Sequence, residues 1–408
     1  MSVSFARATR SAVAATVLLL AAACQTLPPP APPVPPTPPA PPRTDAVYVP
    51  VPFDRLPGWS ADAHDAAWPA FLVGCRALLA RPTVAATWRA PCDAAAALPA
   101  PDAAAARAFF EAQFTAWALT DGAGSDTGLV SGYYEPLLEG SRTRTAQYTV
   151  PLYAPPDDLL IVDLAELYPE LAGKRVRGRL DGRRVVPYWP RAGIDARAAA
   201  LADRAIAWVA DPVEAFFLEI QGSGRLQLAD GGVMRVGYAD QNGHPFRSIA
   251  RVLIDRGEMT ADTASMQAIK AWGRRNPDRL PALLEDNPSY VFFREVLPPQ
   301  PGSLDARIDG PIGSLGVPLL AERTIAVDTR YVPLGTPVFL DTTRPLSNAP
   351  LQRLTLAQDT GGAIRGIGRA DFFWGFGDAA GREAGRMRQQ GRMLLLWPRD
   401  APPPQARP

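Results

Sequence analysis

The sequence is poor in the residues that usually hold metal ions and in net charge of either sign. Among its 408 residues are three cysteines and two histidines, and 42 basic against 41 acidic residues leave a net charge of +1. Without a CxxC pair or clustered histidines, the usual zinc ligand sets cannot be assembled. We therefore predict no metal and no other cofactor. The balanced charge also excludes the broad positive surface that nucleic acid requires, so no nucleic-acid partner is expected.

The N-terminal apolar run, residues 12–23, is too short to span a bilayer permanently. Two arginines precede it, as in an export signal, and it ends in LLLAAAC, which is similar to a bacterial lipobox. We predict a signal peptide over 1–23 and lipidation of Cys24, with simple cleavage as the alternative. Gln25 is not the Asp that retains lipoproteins in the inner membrane, so we expect a lipid anchor in the outer membrane, facing the periplasm.

Proline dominates the segment that follows Cys24. The stretch LPPPAPPVPPTPPAPPR favours extended polyproline conformation, so residues 24–43 are predicted to be a tether. The proline-rich end, 399–408, is predicted to be a disordered tail. Of the remaining cysteines, Cys75 and Cys92 could close a disulfide in an oxidising compartment, and two buried free thiols are the alternative.

Hydrophobic spacing divides the body of the chain into helical and extended regions. Helical periodicity is seen in AAWPAFLVGCRALLA and, behind Asp102 as a predicted N-cap, in DAAAARAFFEAQFTAWAL. From residue 128 short strands dominate, with a hairpin turn at Asp230. Helices return in PFRSIARVLIDRG and ASMQAIKAWGRRN, strands follow, and one more helix is predicted over 378–390. The pattern indicates a mainly β fold with flanking helices.

Three aspartates in the C-terminal region stand beside glycine-rich strand ends: Asp328, Asp359 and Asp371. Cleavage of a glycosidic bond requires a carboxylic acid that protonates the leaving oxygen. Asp371 precedes FFW, and apolar rings beside a carboxyl disfavour its ionised form, which suits a general acid. Each aspartate taken alone could equally be a turn cap, whereas three in one short region favour a catalytic site.

Several strings in this chain resemble the membrane-bound lytic murein transglycosylase A family, which ends in a 3D domain named for three aspartates. They are GYYEP, FFLEIQGSGRLQLADG, VGYADQNGHPFRSI, NPSYVFFRE, VDTRYVPLGTPVFL and AQDTGGAIRGIGRADFFWG. The resemblance covers roughly residues 130–397. The signal peptide, the tether and the first helices are not diagnostic.

The resemblance implies a fold of two β-rich domains with a substrate groove between them. One is a double-psi β-barrel domain, over 44–136 and 306–398 with the N-terminal helices, and the other is an inserted second β-barrel domain over 137–305. It also implies the reaction, a cut of the β-1,4 bond between N-acetylmuramic acid and N-acetylglucosamine in peptidoglycan glycan strands that leaves 1,6-anhydro ends. Wall synthases or scaffold proteins are expected partners, although no segment identifies one.

The resemblance assigns the acid and base role to Asp371, with Asp359 and Asp328 supporting it. Predicted substrate-binding residues in the GYYEP and QGSGR stretches are Tyr133, Tyr134, Glu135, Gln221, Ser223 and Arg225. Aromatic faces and hydrogen-bonding side chains suit a sugar chain, although tyrosine in an alternating strand is also common in a protein core.

Three other classes of protein compete with this interpretation. An aspartic protease would pair two DTG loops, at 126–128 and 359–361, but the residues before them are Ser125 and Gln358 rather than the apolar residues usual there. A dinucleotide site at GFGDAAG lacks the GxGxxG spacing. A wall-binding protein without activity would not need a carboxyl followed by aromatic residues, such as Asp371.

Overall fold

A computed structural model describes residues 46–98, 100–168, 171, 174 and 176–406. The predicted signal peptide, Cys24 and almost all of the segment before the first strand lie outside the described residues.

Within the described part of the chain there are nine α-helices and seventeen β-strands. The helices are α1 (Trp68–Leu79), α2 (Pro82–Ala96), α3 (Ala103–Gln113), α4 (Arg191–Asp195), α5 (Pro212–Gln221), α6 (Ile249–Asp255), α7 (Met266–Arg275), α8 (Leu280–Glu285) and α9 (Gly377–Ala384). The strands are β1 (Val47–Val51), β2 (Phe114–Thr120), β3 (Thr127–Glu135), β4 (Leu137–Ser141), β5 (Val150–Tyr153), β6 (Leu160–Ile161), β7 (Arg177–Asp181), β8 (Arg184–Pro187), β9 (Ala205–Val209), β10 (Ser223–Leu228), β11 (Val233–Gln241), β12 (Val291–Glu295), β13 (Thr324–Val327), β14 (Pro337–Thr343), β15 (Pro350–Asp359), β16 (Ala370–Phe376) and β17 (Arg388–Pro398).

Two of the N-terminal helices, α1 and α3, form where their apolar periodicity predicts them, whereas α2 was not predicted. Asp102 caps α3, accepting a hydrogen bond from the backbone N of Ala105 at 2.8 Å, which matches the predicted N-cap. A disulfide joins Cys75 in α1 to Cys92 in α2, so the bridge is present and the free thiols are not. The aromatic side chains of these helices pack with those of the neighbouring strands, for example Phe71 and Phe110 against Phe114.

Two helix predictions extend too far along the chain. The helix behind Asp102 ends at Gln113, and FTAWALT forms the strand β2, because its residues pair with β1 on one side and with β17 on the other. The helix predicted over 378–390 is α9, which ends at Ala384, and β17 begins at Arg388, where it pairs with β3. In both segments tertiary strand pairing overrides local helical preference. The helix α5, which Asp211 caps through the backbone N atoms of Val213 and Glu214, was not predicted.

Six strands of the large sheet close on themselves. Their order is β17-β14-β15-β13-β16-β3, and β3 pairs again with β17. Closure depends on the length of β17, whose first residues pair with β3, whose middle residues pair with β14 and whose end pairs with β2. We call these six strands the ring. A closed sheet has no free edges and holds its residues in fixed register.

The chain leaves the ring after β3 and returns to it at β13. In between it builds a six-stranded sheet of order β12-β11-β10-β4-β9-β5 and a three-stranded sheet of β6, β7 and β8. This part has its own hydrophobic clusters, one around Leu226 and Phe293 and another around Phe216 and Trp272. We call the six-stranded sheet with its helices the inserted part.

Ordered structure continues past residue 399, where a disordered tail was predicted. The backbone N of Arg399 donates to the carbonyl of Gln113 at 3.0 Å, and its guanidinium donates to the carbonyls of Glu111 and Ala112. Trp397 Nε1 donates to the Pro402 carbonyl at 2.7 Å. The prediction was wrong for these residues because proline content alone does not reveal a docking site on α3.

Among the described residues, no helix is long and apolar enough to cross a membrane.

Candidate active site

Asp371 and Asp359 lie in one row across the ring. Ala326 in β13 pairs on one side with Asp371 of β16 and on the other with Asp359 of β15, and Asp371 pairs in turn with Ser131 of β3. Residues paired in register project to the same face of a sheet, so the four side chains share one face. Because neighbouring strands are about 4.8 Å apart, the Cα atoms of the two aspartates are roughly 10 Å apart. The small side chain of Ala326 separates them.

A register shift turns Asp359 toward this face. Ile325 pairs with Ala357, but the next residue, Ala326, pairs with Asp359, so Gln358 is an extra residue in β15. Irregularities of this kind redirect side chains next to active sites. Gln358 is fully buried on the other side, where its Nε2 donates to the carbonyl of Ala70 in α1 at 2.7 Å. The bulge is therefore tied down by the N-terminal helices.

Asp371 is an enclosed carboxyl with one engaged oxygen. Its Oδ1 accepts a hydrogen bond from Ser131 Oγ, and Ser131 Oγ in turn accepts one from Arg369 Nη2 at 2.7 Å. No described residue donates to Oδ2. Burial raises the pKa of Asp371 to about 6, and the charge of Asp359 adds to the rise, while Ser131 and Arg369 oppose it. A raised pKa and a free oxygen are the properties of a general acid and base.

The rings that follow Asp371 do not all lie beside it. Along a strand alternate residues share a face, so Phe373 is on the side of Asp371, and Phe372 and Trp374 are on the other. The side chains of Phe372 and Trp374 pack against each other, with their aromatic centroids 5.0 Å apart, in a buried cluster of the six-strand ring. Phe373 stacks on Tyr133 at 5.1 Å. Burial does raise the pKa of Asp371, but only one of the three rings is placed to contribute directly.

Asp359 has both oxygens engaged by neutral donors. Its Oδ1 accepts hydrogen bonds from the backbone N and the Oγ of Ser314, at 3.0 and 2.9 Å, and its Oδ2 accepts one from the Tyr133 hydroxyl at 3.0 Å. Burial raises the pKa of Asp359 even though these donors oppose the rise. With no free oxygen, Asp359 is suited to orient Tyr133 and to act on Asp371 through its charge.

Asp328, the third aspartate, is held by positive charge and backbone donors behind the row. Arg330 Nη2 donates to its Oδ2 at 2.6 Å, and the backbone N of Gly366 donates to the same oxygen at 2.8 Å. Burial would raise the pKa of Asp328, but these donors outweigh it and lower the pKa. Gly366 belongs to the connection between β15 and β16. Asp328 therefore fixes the segment that leads from Asp359 to Asp371.

An open groove of about 710 Å³ runs between the ring and the inserted part. Its walls include Gln221, Ser223 and Arg294 from the inserted part, and Ser314 and Asp359 from the ring side. The lining is rich in polar side chains and backbone, which suits a hydroxylated ligand. Of the six predicted substrate-binding residues, Gln221 and Ser223 line this groove.

The two predicted tyrosines face opposite ways, as neighbours in a strand must. Tyr133 donates to Asp359, whereas the phenol group of Tyr134 packs over Gly381 in α9. A Cβ added at Gly381 would lie 2.9 Å from the Tyr134 side chain. The backbone N of Tyr134 donates to Gln221 Oε1 at 3.2 Å, which links the ring to the inserted part.

Glu135 and Arg225 form a buried ion pair rather than free groove side chains. Arg225 Nε donates to Glu135 Oε2 at 2.7 Å, and the two Nη atoms contact Asp309 at 3.0 and 2.9 Å. The guanidinium also lies 4.1 Å from the centre of the Phe376 ring. All these contacts join the inserted part to the ring, so the pair holds the two walls of the groove together. A direct role in sugar binding stays a prediction.

Sequence reasoning missed Ser131, Arg369 and Ser314. Ser131 stands two residues before Tyr133 in β3, so alternation alone would have placed both on the same face. Arg369 immediately precedes β16, where alternation gives no such signal. Ser314 lies in an irregular segment, and the pattern there carried no signal.

A paired DTG site is not formed, because Asp126 contacts Arg392 at 2.6 Å and Asp359 is bound elsewhere. Among the described residues, no group of three or more His, Cys, Asp or Glu side chains could hold a metal ion.

Comparison with known proteins matches both halves of this architecture. A model described as the MltA specific insert domain matches residues 129–294, and one described as the 3D domain matches residues 323–397. Membrane-bound lytic murein transglycosylase A of Escherichia coli (strain K12) is 33% identical over 275 residues, which are 65% of this chain and 64% of that protein. The match thus spans slightly less than two thirds of that relative.

Solved structures align over most of the chain. The crystal structure of MltA from Neisseria gonorrhoeae, in its monoclinic form, has 39% identity and a TM-score of 0.77, covering 89% of this chain and 95% of that one. The crystal structure of E. coli MltA with bound chitohexaose has 26% identity and a TM-score of 0.61, covering 88% and 96%.

The fold and these matches place the chain among proteins named lytic murein transglycosylases. The chain belongs to the membrane-bound lytic murein transglycosylase A family. The resemblance seen in the sequence is thereby confirmed.

Proposed function

We propose that this protein cuts peptidoglycan glycan strands at the β-1,4 bond between N-acetylmuramic acid and N-acetylglucosamine and leaves a 1,6-anhydro end. The observation that carries the proposal is Asp371, an enclosed carboxyl whose pKa is raised to about 6 and whose Oδ2 receives no hydrogen bond from the described residues. Such a group can both give and accept a proton near neutral pH.

The reaction needs one carboxyl because the substrate brings its own nucleophile. Protonated Asp371 gives its proton to the glycosidic oxygen as the bond from that oxygen to C1 breaks. The carboxylate then takes the proton of the muramyl 6-hydroxyl, whose oxygen bonds to C1 and closes the anhydro ring. Asp371 ends protonated, and no water is consumed. With a pKa of about 6, about a tenth of the carboxyl is protonated at pH 7, which suffices for turnover.

Neighbouring groups tune this carboxyl rather than replace it. Ser131 orients Asp371 through Oδ1, and Asp359 raises its pKa by like charge. Asp328 fixes the segment between the two other aspartates through Gly366. In this proposal Asp359 and Asp328 position and tune, and neither touches the reacting atoms.

The glycan would lie in the groove between the ring and the inserted part. Gln221 and Ser223 supply hydrogen-bonding groups on one wall and Ser314 on the other. A sugar oligomer, chitohexaose, is bound in a related E. coli structure. Tyr133 contacts the groove residue Asp359 through its hydroxyl. Tyr134, Glu135 and Arg225 support the groove through the contacts described above.

The products of purified murein sacculi test the reaction. Soluble fragments released by the protein should lack the mass of one water relative to lysozyme products, because the nucleophile is internal to the sugar. Lysozyme on the same sacculi is the control. Fragments with ordinary reducing ends would show hydrolysis instead, and binding to sacculi without release would indicate a wall-binding protein.

We further propose that the ring with the N-terminal helices is the double-psi β-barrel domain, over 44–136 and 306–398, and that 137–305 is the inserted barrel domain. Support comes from the closed order of six strands and from the single excursion of the chain between β3 and β13. A fragment of residues 137–305, expressed alone, should fold by itself if the boundaries are right. Circular dichroism and thermal unfolding would reveal this, and a fragment without a cooperative transition would contradict the boundaries.

Membrane attachment would come from lipid chains on Cys24, with the outer membrane as its site. The sequence before and at Cys24 supports this, and two or more acyl chains give stable anchoring. Cys24→Ser should move the protein to the soluble periplasmic fraction, with its activity on sacculi retained. Unchanged fractionation with membranes would contradict the anchor.

A further inference from the structure

A second cavity, of about 380 Å³, lies in the inserted part beside the groove. It is bounded by β5, α4, α5, α8 and β12. Its walls are mainly apolar and aromatic, and include Leu152, Phe216, Leu284, Tyr290 and Phe293. This volume falls within the range of small-ligand pockets, about 300–1,000 Å³, and such pockets combine apolar walls with a few polar groups.

The polar groups of this side cavity carry unbalanced negative charge. Glu219 is fully engaged, because Arg191 donates to its two oxygens at 2.9 and 2.7 Å and the backbone N of Val291 donates at 2.9 Å. Asp195 and Glu285 also line the cavity. Neither carboxylate receives a hydrogen bond or an ion pair from a described residue. Two unpaired carboxylates beside apolar walls attract a cation.

The electrostatics of Asp195 agree with this geometry. Desolvation raises its pKa to about 6, and Glu219 and Glu285 add to the rise, although Arg191 opposes it. Solvent still reaches the carboxyl at the mouth of the cavity. An incoming ammonium group would relieve the repulsion between Asp195 and Glu285.

The side cavity and the groove share a wall. Glu219 and Val291 line both. A peptide attached to a sugar in the groove spans about 3.5 Å per extended residue, so its third residue can lie roughly 10 Å from the sugar. A stem peptide on the glycan can therefore reach the side cavity while its sugar occupies the groove.

We propose that the side cavity binds a primary ammonium group at the end of a short alkyl chain, and that its source is the diamino acid of a peptidoglycan stem peptide. The alkyl chain lies along the apolar walls, and the ammonium donates to Asp195 and Glu285, as a lysine side chain would. This inference rests on the proposed function, because it takes peptidoglycan as the substrate. It adds a site for the peptide to the groove for the sugars.

Three substrates and two variants test the site. The substrates are glycan strands with stem peptides, the same strands with their free amines acetylated, and strands with the stems removed. Asp195→Asn is compared with Asp203→Asn, a control on an exposed turn of the inserted part whose side chain is 75% exposed. Circular dichroism and thermal unfolding check that both variants fold.

For Asp195→Asn we expect kcat/KM on stem-bearing strands to fall about threefold to tenfold, the range for losing one partly exposed charged contact. Its kcat/KM on stem-free strands should not change. Acetylation of the strands should lower the kcat/KM of the wild type by the same factor. It should not lower the kcat/KM of Asp195→Asn further, because the amine and Asp195 act as coupled partners. Asp203→Asn should match the wild type throughout. An Asp195→Asn loss that is equal on stem-free strands, or no loss on any strand, overturns the proposal.

A binding measurement separates this proposal from the catalytic one. The free tripeptide L-alanyl-γ-D-glutamyl-L-lysine, whose side chain ends in an ammonium group alone, is titrated calorimetrically into wild type and Asp195→Asn. Binding that is weaker to the variant supports the side cavity even if no strand is cut, in which case only the proposed function fails. Absence of binding to the wild type overturns the proposed ammonium site and leaves the proposed cutting of strands unaffected.

Discussion

Two aspartates have opposite electrostatic surroundings: Asp371 in the row across the ring, and Asp328 in the segment just after β13, which we call the corner. Asp371 lies in β16 and Asp328 directly follows the neighbouring strand β13. Desolvation acts to raise the pKa of both carboxyls. In the row, the donor to Asp371 is the neutral hydroxyl of Ser131, and the pKa is raised to about 6. In the corner, the donors to Asp328 are the charged Arg330 and the backbone N of Gly366, and the pKa is lowered.

The difference shows that the charge of the donor, not burial alone, decides what a buried carboxyl can do. A neutral donor leaves desolvation as the largest effect, so the proton stays available near neutral pH. A guanidinium compensates for desolvation and keeps the carboxylate ionised, which makes it a structural anchor. The following changes test this contrast.

The largest effect is expected from Asp371→Asn. The amide keeps the shape of the side chain but cannot exchange a proton, so kcat on sacculi should fall at least about a hundredfold, the low end of general acid–base contributions. Asp328→Asn should cost less, because that side chain only positions. Asp400→Asn, at an exposed site, is the matched control and should be neutral. A turnover of Asp371→Asn near that of the wild type would falsify the assignment.

Removal of the same carboxyl should also change how stability depends on pH. The pKa of Asp371 is higher in the folded protein than in the unfolded chain, so the folded state binds the proton more tightly. This stabilisation is complete below about pH 4 and is lost as the pH rises through about 6. Relative to Asp371→Asn, the wild type should lose on the order of 2 to 3 kcal/mol of unfolding free energy between about pH 4 and 7. Urea denaturation at several pH values measures this, and a constant difference would show that the carboxyl is not desolvated.

A somewhat smaller effect is expected when the corner loses its charged donor. In Arg330→Gln the buried carboxylate of Asp328 keeps its backbone donors but loses the guanidinium, so stability should fall by about 1 to 3 kcal/mol. Arg142→Gln is the control, because its pair with Glu295 is exposed and such pairs contribute at most about 1 kcal/mol. Equal losses in the two variants would mean that Arg330 does not stabilise a buried charge.

The smallest effect is expected from Ser131→Ala. Its hydroxyl stabilises the charged form of Asp371, so removing it should raise the pKa of that carboxyl further. The alkaline limb of the pH profile of kcat should move upward by about one pH unit or less, and the folding stability should change little. A shift to lower pH, or none, would show that Ser131 does not donate to Asp371 during turnover.

Much of the secondary structure could be predicted from local pattern. The helices α1, α6 and α7 and most strands follow apolar periodicity. The role of Asp371 came from the family resemblance and stays a prediction. FTAWALT could not be assigned correctly, because its helix-like spacing is overruled by pairing with β1 and β17. For the same reason, residues 388–390 are strand rather than helix.

The sequence by itself determined that three aspartates stand beside glycine-rich strand ends and that Cys75 and Cys92 could pair. These are properties of residue type and spacing. Only the tertiary structure decided that the pKa values of Asp371 and Asp359 are raised and that the pKa of Asp328 is lowered. The pKa of each carboxyl depends on which donors reach it: Ser131 is 240 residues from Asp371, whereas Arg330 is two from Asp328. Closure of the ring brings Ser131 to Asp371, and the bulge at Gln358 turns Asp359 toward them, because strand register fixes which side chains meet on one face.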